Sequence, residues 1–306
     1  MTSVIVFIKS IIPDIETINN LIYVILDNNV LASKQYNHII DEIKEAVLET
    51  YDLVKPLFEE YYEKKRGKKR YVDFNQGIDS RLISESNMKK MFEIPVRPVR
   101  IAFDHWKLHD IYEKSIRIAV KESHTQLSNY VLYNFEDKPI ELYWRLKLNV
   151  DLCEELGVSI YSFPMKYHPI EDPEYFSNRD YIGKYWNRKY IRTIQAILNS
   201  TKGKVGRGKD FFEKAFGKSE SEFEKLLIMP EAMIIYRFYF EEKGLTDAWW
   251  NSYCSLSEQQ KERIKPIIYG NHFENYETII SDKECLKVLS YYRIKREDAE
   301  KEIKGE

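Results

Sequence analysis

The first half of the chain alternates short apolar runs with amphipathic stretches. Ser3–Ile8 is rich in β-branched residues and predicts a strand. Leu21–Leu26 is a continuous apolar run closed by Asp27-Asn28-Asn29, the pattern of a strand buried on both faces of a parallel sheet. Ser33–Tyr51 then sets Ile39, Ile40, Ile43, Val47 and Leu48 at helical spacing, with Ser33 in position to cap. Tyr71–Phe74, Val99–Phe103, Tyr130–Phe135 and Ser159–Phe163 predict further strands. Ser84–Phe92, His109–Ser123 and Pro139–Leu156 predict helices between them, and Gly157 falls at the C′ position of the last. This alternation predicts an α/β fold, a parallel sheet with helices outside it and right-handed crossovers.

Past about residue 170 the strand-like runs fade. Helical periods cover Lys189–Leu198, Phe211–Phe216, Ser221–Ile228, Pro230–Glu242, Ser257–Ile264 and Ser281–Tyr292. The charge-dense tail Lys295–Glu306 is expected to fray. The chain therefore divides into an α/β part, residues 1–170, and a mainly helical extension, residues 171–306.

The apolar runs share one habit, which is that they end on polar or unusual residues. These are Asp27-Asn28-Asn29, Asn75-Gln76-Gly77, Asp104, Asn134-Phe135-Glu136-Asp137 and Pro164-Met165. In parallel sheets and barrels the C-terminal strand ends line the functional face. The same residue types also cap helices that start just after a strand, and the sequence leaves both roles open.

Composition narrows the classes. A length of 306 residues suits one large domain or two small ones, and 43% hydrophobic with 31% charged residues excludes disorder and low complexity. Aromatic residues at 14% supply ample core area, and a net charge of −2 creates no whole-protein attraction to nucleic acid or to an anionic membrane. No apolar run is long enough to cross a bilayer, so no membrane partner is expected. Met1–Phe7 has no basic residue ahead of its apolar run and no small-residue cleavage site, so a signal peptide is not expected. Cys153, Cys254 and Cys285 are too scattered for a disulfide framework or a CxxC zinc site, which suits a reducing, cytoplasmic home. Cys153, on a predicted helix, reads as a buried structural thiol.

Three local patterns carry less. Gly203–Lys209 has the spacing of a phosphate loop, but Asp210 replaces the hydroxyl residue and a helix, not a strand, precedes it. His105 and His109 are four apart, as in helical zinc sites, but no glutamate base or third ligand accompanies them. The basic stretch Lys64–Arg70 reads as a solvated loop, and with no aromatic stacking motif nucleic acid is not the expected partner.

Several strand-end segments together resemble a branch of the radical S-adenosylmethionine (SAM) superfamily. They are Leu26-Asp27-Asn28-Asn29-Val30-Leu31-Ala32-Ser33, Tyr71-Val72-Asp73-Phe74-Asn75-Gln76-Gly77-Ile78-Asp79-Ser80-Arg81, Arg100-Ile101-Ala102-Phe103-Asp104, Ser128-Asn129-Tyr130-Val131-Leu132-Tyr133-Asn134-Phe135 and Phe163-Pro164-Met165-Lys166-Tyr167. Tyr181-Ile182-Gly183-Lys184-Tyr185-Trp186 resembles the same branch's C-terminal extension. The resemblance implies a partial, TIM-like α/β barrel. It also implies a four-iron, four-sulfur (4Fe–4S) cluster on a Cys-x3-Cys-x2-Cys loop after the first strand. There SAM is cleaved reductively to a 5′-deoxyadenosyl radical. By position along the sheet, the cofactor-binding residues would be Asp27, Asn28 and Asn29 at the SAM amino group. Asn75, Gln76 and Asp104 would follow toward the ribose, with Asn134 and Met165 near the adenine.

The sequence departs from that pattern upstream of Leu26, where it contains no cysteine. Clusters of this kind need thiolates. The expectation is therefore a truncated, cluster-less radical SAM-like chain. Its substrate would be unidentified, and an electron donor would be a partner only of a full-length form. The alternative is a non-catalytic SAM- or nucleotide-binding or scaffold relative.

Overall fold

A computed structural model of the chain describes residues 23–25, 30–45, 71–75, 77–122, 125–169, 171, 180–206 and 208–304. The expected strand Ser3–Ile8, the basic stretch Lys64–Arg70, and Asp27, Asn28, Asn29 and Gln76 lie outside these residues. The described elements begin with β1 (Tyr23–Ile25), α1 (residues 36–45), β2 (Val72–Phe74), α2 (Glu85–Met91) and β3 (Val99–Arg100). There follow α3 (His109–Lys121), β4 (Gln126–Tyr133), α4 (Pro139–Leu156) and β5 (Ser159–Lys166). The strand–helix alternation is that of an α/β fold.

β1 and β2 pair in parallel from Tyr23↔Val72 to Ile25↔Phe74, and β3 and β4 pair in parallel through Val99↔Leu127 and Arg100↔Ser128. β5 lies beside β4. The Ser159 N–H donates to Thr125 O at 2.8 Å and the Tyr167 N–H to Tyr133 O at 2.8 Å, so this pair is parallel as well. The described strands form one two-stranded and one three-stranded sheet, both open, rather than a closed barrel. Only isolated bridges link the two, Val72↔Val96 and Ile78↔Ile101. Pro95 and Pro98 precede β3, and neither has an N–H to give a ladder.

β5 runs on past its expected end at Phe163, through Pro164, to Lys166. Residues 159 and 167 turn their N–H groups toward β4, so the even-numbered Pro164 has its nitrogen on the opposite side. Its missing N–H costs no ladder bond there.

Local chemistry sets the helix ends. Ser84 Oγ accepts the Asn87 N–H at 3.3 Å, and Asn87 Oδ1 accepts the Ser84 N–H at 2.9 Å, a reciprocal cap that starts α2. Gly157 closes α4 with φ of 67°, the left-handed conformation its C′ position requires.

Contacts divide the chain into two compact units, and the boundary runs through β4, α4 and β5. One unit comprises the chain up to Val131 together with Asp151–Phe163, and the other comprises Leu132–Val150 and Pro164–Glu306. Beyond β5 the second unit is helical. It contains α5 (Arg188–Ser200), α6 (Lys209–Phe216), α7 (Glu220–Ile228), α8 (Glu231–Ile235) and α9 (Arg237–Glu242). α10 (Leu245–Cys254), α11 (Glu258–Gly270), α12 (Lys283–Ser290) and α13 (Arg296–Lys304) complete it.

Three helical expectations need correction. The period over Pro230–Glu242 is two helices, broken at Tyr236 with φ −109° and ψ 47°. α11 continues through Pro266 to Gly270, because Ile264 and Ile268, one turn apart, are both buried in a core with Tyr276, Val288 and Leu289. The tail, expected to fray, carries a helix, α13, with Ala299 buried.

Candidate functional site

In the first unit, one face of the sheet carries the polar residues. Leu127, Asn129 and Val131 alternate onto the opposite, buried face, where the Asn129 amide donates to Tyr112 Oη of α3 at 2.9 Å. Ser128 and Tyr130 occupy the other face. There Arg100 makes a two-pronged ion pair with Asp73 of β2, with Nε to Oδ1 and Nη2 to Oδ2 both 2.8 Å. Its Nη1 donates to Ser128 Oγ at 3.3 Å, and its guanidinium lies 5.5 Å from the centre of the Tyr130 ring. Tyr130 Oη in turn donates to Asn75 Oδ1 at 3.3 Å, so the β2 strand end is tied to β4.

Asp73 is only 8% exposed, so its charge needs the arginine. The same hydrogen bonds hold the Arg100 guanidinium protonated more firmly than usual. The Phe163 ring approaches Tyr130 at 6.1 Å between centroids. The result is a cation, a carboxylate, an amide and two aromatic rings on one sheet face.

Asp104, at the end of the β3 segment, is half-buried. Just before it Phe103 stacks on Tyr112 at 4.1 Å, and just beyond it Trp106 stacks on His109 at 4.5 Å. His109 Nδ1 sits 2.9 Å from Trp106 O. A 3₁₀ turn, Trp106–Leu108, separates His105 from the start of α3, so the two histidines do not share one helix face.

Asn134 and Met165 belong to the second unit. Asn134 is fully buried with φ of 68°, and its amide nitrogen donates to Tyr167 O at 3.2 Å and Tyr181 O at 3.0 Å. Its Oδ1 accepts the Gly183 N–H at 2.9 Å. Both amide hydrogens are thus committed to backbone, and the side chain fastens the 180–186 segment. Gly183 is the counterpart, since a Cβ there would lie 2.3 Å from Phe135 O. The Met165 side chain is 48% exposed. Of the strand-end site residues that are described, Asn75 and Asp104 share the first unit, and Asn75 has its side chain in the polar network just given.

Two buried charges of the second unit escaped the sequence reading. Arg145 of α4 donates to Asp137 Oδ2 at 3.0 Å and to Leu132 O at 2.7 Å, with its side chain fully enclosed. Burial pushes the Asp137 carboxyl up, against the pull of Arg145. Trp186 Nε1 donates to Asp137 O at 2.8 Å. Lys189 of α5 is 1% exposed, and loss of solvent lowers its ammonium from 10.5 to about 7.

The cysteines do not fit an iron–sulfur cluster. Cys153 is buried and its Sγ accepts the Ile160 N–H at 3.1 Å. Cys285 is buried with its thiol pushed up to about 11 by burial and by Asp282, and Cys254 is exposed. Among the described residues no group of three or more His, Cys, Asp or Glu side chains gathers to hold a metal ion. No protein-family model matches the chain, and no curated protein matches it. Among the described residues no helix is long and apolar enough to cross a membrane.

Proposed function

We propose that the first unit is a radical-SAM-like core whose role in this polypeptide is to bind SAM or its adenosyl products. The observation that carries this reading is the Asp73–Arg100–Ser128–Tyr130–Asn75 network, built on consecutive parallel strands and reaching a C-terminal strand end. Tyr130 offers a ring for the purine and Asn75 an amide for the ribose. Asp104 is the carboxylate for ribose hydroxyls or for the SAM ammonium. Reductive cleavage of SAM is the activity of family members that hold the cluster. Residues able to hold one are not found here, so no radical step is assigned to this chain.

Without an iron to chelate the amino acid end, affinity rests on stacking and a few hydrogen bonds and is expected to be weak. Isothermal titration of SAM against the wild type, Asp104→Ala and Asn75→Ala tests it. Each substitution is expected to weaken binding about tenfold, the worth of one hydrogen bond of about 1–2 kcal/mol. Binding that neither substitution changes would refute the assignment, and no heat at millimolar SAM would favour the scaffold alternative.

A further inference from the structure

The second unit contains a cleft of about 400 Å³ that plays no part in the reading above. Lys166 from the end of β5, Arg188 and Arg192 from the first turns of α5, and Gln195 one turn further line it. Asn271 and His272, just past the end of α11, close the other side. Positions 188, 192 and 195 fall on one helix face. Three cationic residues from two elements, with Asp180 beside them, thus line a cavity large enough for a small ligand.

The guanidiniums are held but not exhausted. Glu231 of α8 takes Arg192 Nε at 3.2 Å and Nη2 at 2.8 Å, which fixes the plane of the fork. Among the described residues this leaves the Nη1 edge with its donors. Arg188 Nη1 reaches Asp180 Oδ1 at 3.1 Å, a half-exposed pair that an incoming anion can displace at little cost.

We propose that this cleft binds a phosphorylated small molecule, with the phosphoryl group on Arg188, Arg192 and Lys166. Guanidinium forks match tetrahedral oxyanions in two-pronged fashion, and the lysine adds a point charge. Gln195, Asn271 and His272 would then meet the neutral remainder of the ligand. The proposal uses residues of the helical unit alone, so it stands or falls independently of SAM binding.

The test is titration calorimetry of the full chain at low salt with inorganic pyrophosphate, glycerol phosphate and citrate as separate probes. Pyrophosphate or glycerol phosphate is expected to bind more tightly than citrate, with affinity falling as salt rises. Arg188→Gln and Arg192→Gln, both on half-exposed side chains and expected to fold, should each weaken it about tenfold, and Lys121→Gln on α3 should leave it unchanged. Citrate binding tightest would overturn the phosphoryl assignment. No binding at about 5 mM of any probe, or equal binding by all variants, would overturn the site.

Discussion

Lys189 is the residue whose chemistry is most displaced by the fold. Its amine is enclosed by the helical unit, with Tyr292 presenting its ring 6.0 Å away, Glu231 pulling its pKa up and Arg192 pushing it down. Burial wins, and the native pKa of about 7 lies below the usual 10.5. The unfolded chain therefore holds this proton between those two values while the folded chain does not, so folding stability rises with pH across that window. The slope approaches about 1.4 kcal/mol per pH unit. Denaturant titrations between about pH 7.5 and 9.5 should show wild type gaining on Lys189→Met by about 1 kcal/mol per unit. A constant difference would mean that the amine stays charged in the core.

The Arg145–Asp137 pair invites a different residue-scale test. Arg145→Met alone leaves a buried carboxylate with its principal counter-charge gone and should cost about 3–5 kcal/mol. Adding Asp137→Asn removes that charge while preserving an acceptor for the Phe135 N–H, so the double variant should regain much of the loss. Equal stability of the single and double variants would contradict this account. Neither Arg145 nor Lys189 was legible as a buried charge in the sequence, because a charged residue at a helical core position reads the same whether it is enclosed or reaches out to water. The polar strand ends were legible, but their roles were not. Asn75 and Asn134 look alike in sequence, yet one joins a polar sheet face and the other spends its amide on backbone.

At the scale of elements, Gly183 and Asn134 act as a clasp. Ala at 183 would drive its Cβ into Phe135 O and Asn134 C, backbone atoms that have nowhere to go. Gly183→Ala should lower stability by about 1–3 kcal/mol and speed hydrogen exchange over residues 180–186. Unchanged exchange there would show that the segment is held by other means. Strands and most helices followed from periodicity, since each buries one face or both. The exceptions share a cause. α10 (Leu245–Cys254) has Thr246 and Trp249 as its buried residues, too few for a stripe, and α13 rests on Ala299 amid charges. The extension of β5 through Pro164 depends on which side of the strand lacks a partner, which only the pairing reveals.

For the whole molecule, the central claim is that a nucleoside binds the polar sheet face of the first unit. The parallel, chain-ordered strands agree with the α/β pattern read from the sequence, while the break between β2 and β3 did not show in it. Amide hydrogen exchange measured with and without saturating SAM tests the claim most directly. The account predicts added protection confined to residues 72–78, 100–104 and 126–131, with residues 188–304 unchanged. Protection that maps to the helical unit, or to no part of the described strands, would contradict it.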